Sequence, residues 1–195
     1  MKSEKLTPEH IRRFFRCYPK EIASFLDANG ISVNARDRHG RTLLAHTANE
    51  ASDVVTRTKK LLSLGADPNI ADKGGVTPLM LAVDTQSTRN CVSLLLAAGA
   101  DVHAKCAEGQ TALGVCVNAG GGDEVMMTFF KLMTAGARDR GISFVNNPPS
   151  RYFAEAVDYV NRENVQLVKI EDTIKVFLDV VRTTSEARPS RAAPR

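Results

Sequence analysis

Residues 72–82 read Asp72-Lys73-Gly74-Gly75-Val76-Thr77-Pro78-Leu79-Met80-Leu81-Ala82. Gly75 suits a tight turn, because glycine enters left-handed backbone conformations without a Cβ clash. Thr77 can cap a helix N-terminus with its hydroxyl, and Pro78 fits the first helical position, where no backbone donor is needed. The stretch therefore predicts a turn feeding directly into an apolar helix.

Moving outward, the same grammar returns. Asp37-Arg38-His39-Gly40-Arg41-Thr42 and Cys106-Ala107-Glu108-Gly109-Gln110-Thr111 align with it, glycine standing two before threonine each time. A second glycine series, Gly30, Gly65, Gly99 and Gly136, closes apolar runs such as Leu61-Leu62 and Leu94-Leu95-Leu96. From each of the first three of these glycines to the next threonine is twelve residues, whereas threonine to glycine takes 23, 23, 22 and 25, counting from Thr7. The invariant half predicts a connection of set geometry. The variable half predicts two helices joined by a surface turn, with glycine ending the second in a left-handed cap. Thr47, Ala82 and Cys116, five after each threonine, are small enough for neighbouring helices to approach.

This pattern resembles the ankyrin repeat, a unit of about 33 residues. The signature is carried by residues 72–82, by Gly65-Ala66-Asp67-Pro68-Asn69 and by Gly99-Ala100-Asp101-Val102-His103. The resemblance implies an all-α solenoid of stacked helix-turn-helix units joined by β-hairpin fingers, with divergent terminal caps. The units expected are an N-terminal capping repeat over 1–35, repeats over 36–69, 70–103 and 104–139, and a divergent helical cap over 140–182. A disordered tail over 183–195 is expected from its Pro, Ser, Ala and Arg content. Thr7-Pro8-Glu9-His10 opens the first unit in register. Arg12 and Arg13 there replace small residues and Asp27 replaces a leucine, as suits a cap with a polar outer face. The internal units depart from the family pattern by placing Ala45, Met80 and Gly114 where it has histidine.

The family further implies that finger tips and first helices line a hollow face that binds another protein. The expected contact residues are Arg36, Arg38, His39 and Arg41 in the first finger, Lys73 and Val76 in the second, and Glu108 and Gln110 in the third. Asn49, Glu50, Asp84 and Thr85 at the ends of the first helices complete the set. Side chains between the repeated Asp, Gly and Thr positions are expected to have no structural duty. The basic first finger suggests a partner with an acidic segment, since arginine pairs bidentately with carboxylates.

Catalysis is not expected. The sequence holds no Gly-x-Ser-x-Gly, phosphate-loop or His-Glu-x-x-His motif. Gly120-Gly121-Gly122 reads as a flexible turn between helices. His103 and Cys106 form one His-x-x-Cys pair, whereas a zinc site needs about four convergent ligands; no metal or cofactor is expected. Cys91 and Cys116 fall on apolar helical positions, and the four cysteines are scattered, which predicts free thiols and a reducing, cytoplasmic setting. A secreted effector acting in a host cytosol is an alternative. With pI near 9.0 and net charge +4, nucleic-acid binding is a further alternative. It is disfavoured by 6% aromatics and the lack of a nucleic-acid motif. No apolar run approaches the roughly 20 residues of a membrane span, and a monomer is expected.

Overall fold

A computed structural model of the chain describes residues 2–48, 53–84, 86–119 and 123–137. The expected cap over 140–182, the tail over 183–195 and the glycine run at 120–122 lie outside them. Among the described residues four pairs of helices follow one another: α1 (Pro8–Arg16) with α2 (Ile22–Ala28), α3 (Leu43–Thr47) with α4 (Val54–Ser63), α5 (Pro78–Asp84) with α6 (Val92–Ala97), and α7 (Ala112–Asn118) with α8 (Asp123–Thr134). Short 3-10 turns at Pro19–Glu21 and Gln86–Cys91 lead into α2 and α6.

Each first helix starts as the threonine spacing predicted. The hydroxyls of Thr7, Thr42, Thr77 and Thr111 accept from the backbone N–H three residues on, at 3.2–3.3 Å. In the first unit His10 completes a reciprocal box, its Nδ1 accepting from the Thr7 N–H at 3.3 Å. The second helices end in left-handed glycines. At Gly65 (φ 86°) its N–H donates to Leu62 O and that of Ala66 to Leu61 O, both at 3.0 Å, satisfying carbonyls the helix leaves unpaired. The same pair of bonds recurs at Gly99 and Gly136.

The core runs between the helices. α3 packs on α5 and α5 on α7, while α6 meets α8. Thr47, Ala82 and Cys116 are fully buried, so the small residues sit where first helices approach. Leu44, Leu79 and Leu113 fill the space beside them.

Between units runs a side-chain ladder. Asn34 donates to Gly65 O (3.3 Å) and accepts from Asp67 N–H (2.9 Å); Asn69 does the same with Gly99 O (3.0 Å) and Asp101 N–H (2.7 Å). Ser32, Asp67 and Asp101 hold the following loop by accepting from the N–H two residues later. In the sequence, the next unit has His103 in place of the asparagine and Arg138 in place of the aspartate.

One element departs from the all-α expectation. Residues Ser3–Lys5 (β1) pair in parallel with Ile31–Arg36 (β2). Ser3 N–H donates to Gly30 O and Leu6 N–H to Arg36 O. Leu6, the lone large apolar residue in the charged stretch Lys2–Leu6, is buried and anchors the strand. Apart from β2, which runs into the first, the expected hairpin fingers are tight turns rather than strands among the described residues.

Candidate functional site

Each finger closes on itself through two backbone bonds, the inner one from the N–H of Gly40, Gly75 or Gly109 to the carbonyl three residues back. Asp37 N–H donates to Arg41 O, Asp72 N–H to Val76 O, and Cys106 N–H to Gln110 O, at 2.9–3.0 Å. In the first two, the aspartate carboxylate also clasps the turn. Asp37 Oδ1 accepts from the N–H of His39 (2.7 Å) and Arg41 (2.9 Å); Asp72 Oδ1 accepts from Gly74 (2.9 Å) and Val76 (3.0 Å). The third finger has Cys106 at this position and lacks the clasp. Asp37 is further bonded to His46 Nε2 at 3.0 Å. Burial opposes its charge, but the Arg41 and His39 N–H groups and the His46 ring prevail and hold the carboxyl below its ordinary range.

The fingers touch in sequence. Lys73 N–H donates to His39 O (2.9 Å) and Ala107 N–H to Gly74 O (2.7 Å). This approach needs glycine at 75, where φ is 75° and a Cβ would lie 3.0 Å from Cys106 Cα.

The basic first finger is largely engaged. Arg36 donates through Nε to Gly40 O at 2.9 Å and through Nη2 to Ala71 O. Arg41 Nε bonds Asp72 Oδ2 at 3.1 Å. Both side chains therefore brace the first finger against the second, contrary to the expectation that residues between the repeated positions have no structural duty. Arg38 and His39 stay exposed at the tip, with Arg38 Nε bonded to His39 Nε2 at 2.9 Å.

Between the second and third fingers the bridge is missing. Val76 stands where the first finger has Arg41, and Cys106 where the second has Asp72. With both bridge partners replaced, a half-open groove of about 310 Å³ appears, at the small end of ligand-site volumes. Val76, Met80, Leu81, Cys106 and Val115 give it apolar walls, and Asp84, Glu108 and Gln110 stand around it. Four expected site residues, Val76, Asp84, Glu108 and Gln110, are thus brought together. Arg36, Arg38, His39 and Arg41 lie apart from the groove, and Lys73 is exposed at the second tip without lining it. Asn49, Glu50 and Thr85 lie outside the described residues. Sequence reading missed Met80, Leu81, Cys106 and Val115 as groove residues. Its available signal was the joint loss of arginine and aspartate at positions 76 and 106.

A second missed residue is Arg57 on α4, buried at 3% exposure. Its Nη1 donates to Phe14 O (2.8 Å), and Nη2 to Phe15 O (3.1 Å) and Cys17 O (2.8 Å). The guanidinium thereby satisfies carbonyls at the C-terminal end of α1 while lying 5.3 and 5.7 Å from the Phe14 and Phe15 ring centroids.

The four cysteines are free thiols. Burial pushes Cys116 up to about 12, with the charge of Arg89 opposing, and raises Cys91 against a hydrogen bond from Thr58. His103 and Cys106 gather no further ligands: among the described residues no three His, Cys, Asp or Glu side chains converge as a metal site would need. No helix among them is long and apolar enough to cross a membrane.

Comparison with known proteins agrees with this architecture. Residues 55–131 match the family model described as ankyrin repeats in three copies. The chain is 37% identical over 97 residues to the human ankyrin repeat and SOCS box protein 6, covering 47% of this chain and 23% of that protein. It is 35% identical over 101 residues to the Arabidopsis thaliana E3 ubiquitin-protein ligase KEG, covering 51% and 6%. It is 36% identical over 62 residues to a putative ankyrin repeat protein, L271, of Acanthamoeba polyphaga mimivirus, covering 32% and 8%. The chain thus spans less than a quarter of the length of each of these relatives. It carries ankyrin repeats, which are general protein-interaction modules.

Proposed function

We propose that this chain is a non-catalytic protein-binding solenoid whose partner seats on the finger and first-helix face, centred on the groove between the second and third fingers. The observation carrying this reading is the absent bridge. Where Arg41 and Asp72 tie the first two fingers together, Val76 and Cys106 leave an apolar recess open to solvent. Apolar surface rimmed by polar groups is what a partner's side chain covers with most gain. The setting we propose is a reducing cytoplasm, supported by four separate thiols. The ligase named among the relatives shares too little of its length with this chain to lend it that activity.

The acidic-segment reading keeps a narrower basis. Arg36, although exposed, and Arg41 are bonded across to the second finger, so Arg38, His39 and Lys73 are the exposed basic residues of these two fingers not used for bracing.

The test is a variant that closes the groove without unfolding the chain. Val76→Arg with Cys106→Asp rebuilds the arginine–aspartate bridge of the preceding fingers. Wild type and variant serve as baits in a native lysate, with mass spectrometry of both eluates and circular dichroism of both baits. A partner held by wild type and lost from a folded variant supports the reading. The same partner held equally by both refutes it.

A further inference from the structure

We propose that the groove receives an aliphatic or thioether side chain of the partner with a lysine or arginine beside it, the apolar group against the floor and the cation between Asp84 and Glu108. This rests on the reading of the groove as the partner site and adds the chemistry of its occupant.

The floor is hydrocarbon, built by Val76 from the second finger, Met80 and Leu81 from α5, and Val115 from α7. The two carboxylates come from different elements. Asp84 is the last residue of α5, and Glu108 belongs to the third finger. Both residues are exposed, and neither is in an ion pair among the described residues. Lys73 and Lys105 are exposed on the same fingers but do not line the groove, so the charge bordering the apolar floor is negative. A cation beside the buried group meets two attractive carboxylates, whereas an acidic neighbour meets two repulsive ones. The protein already shows the complementary arrangement one finger earlier. There the arginine of the first finger reaches across to the carboxylate of the second at 3.1 Å. The partner side chain would supply from outside what Val76 cannot.

The test uses the full chain to select from a library of randomised peptides. Selected peptides are then titrated by fluorescence anisotropy against wild type, Val76→Arg, and the charge reversal Asp84→Lys with Glu108→Lys. Val76→Arg should fold, because Arg41 occupies the equivalent position in the first finger. The exposed charge-reversal pair gives an independent route should it not.

The expected result is enrichment of Leu, Ile, Met or Val next to Lys or Arg, with binding abolished by Val76→Arg. Charge reversal should weaken it about 3- to 30-fold, the range for two exposed charge pairs. Truncating the apolar residue of the peptide to alanine should weaken it about 10- to 100-fold. Val76-dependent peptides with neutral or acidic neighbours, unaffected by charge reversal, overturn this inference while leaving the groove as the partner site. Peptides that bind equally well to Val76→Arg overturn both. Failure to enrich any peptide also overturns the inference, since a preformed site for so short a motif would have selected one.

Discussion

Replacing Arg57 by leucine removes a buried cation that no carboxylate among the described residues pairs with. Its three bonds run from a charged donor to the carbonyls of Phe14, Phe15 and Cys17 at 2.8, 3.1 and 2.8 Å. Hydrogen bonds to charged groups contribute about 1.5–3 kcal/mol each. Against this stands the desolvation of the guanidinium, several kcal/mol for a buried ion. Its Nε finds no acceptor among the described residues, which adds to that cost. Leucine relieves the desolvation but takes the guanidinium donor from three carbonyls at a helix C-terminus, of which Phe14 O keeps the Cys17 thiol at 3.0 Å. We expect a net loss of about 3–5 kcal/mol, set by carbonyls left short of donors at about 1–3 kcal/mol each. Arg57→Lys keeps the charge near the negative end of α1 but cannot span three acceptors, and should lose roughly half as much. Urea unfolding followed by circular dichroism reads the difference as a midpoint lowered by about 1–3 M for the leucine variant. Hydrogen exchange should place the loosening first in α1 and α2, since repeat stability is transmitted only through neighbours. A leucine variant within about 0.5 kcal/mol of wild type would refute the argument.

Three further outcomes follow from the fingers and thiols. Cys106→Asp should restore the missing clasp and raise stability by about 0.5–1.5 kcal/mol, seen as a higher melting temperature; a lowered one would mean the third finger cannot accept the carboxylate. Asp37, held below its ordinary range, contributes stability that is present above that range and is lost as the pH falls through its lowered folded value. The urea midpoint of wild type should therefore decline more steeply than that of Asp37→Asn between about pH 5 and 2, and parallel curves would exclude the effect. In the folded chain at about pH 8, iodoacetamide should modify the half-buried Cys17 and Cys106 and spare Cys91 and Cys116, with peptide mass spectrometry as the readout. Rapid labelling of Cys116 would contradict its burial.

What the sequence determined by itself is the repeat. A threonine hydroxyl reaches an N–H three residues away, and a left-handed glycine ends a helix through bonds from its own N–H and the next one to carbonyls three and five residues back. Such contacts are local, so the spacing of Thr42, Thr77 and Thr111 from the preceding glycines was enough to place turns and helix starts. Local reasoning also identified the small residues Thr47, Ala82 and Cys116, because a position facing the neighbouring helix recurs with the unit. The tertiary structure alone decided which finger residues are free. Arg41 reaches Asp72 across 31 positions, Arg36 reaches Ala71 across 35, and Arg57 reaches α1 carbonyls across 40 to 43. In the sequence these arginines look like the exposed Arg38. The pairing of β1 with β2 was equally hidden, resting on a single buried leucine among charges. The groove lies between these extremes: the changes at 76 and 106 are written in the sequence. Only the packing of adjacent fingers turns two unremarked substitutions into an opening, because a bridge must be seen spanning one gap before its loss from the next has meaning.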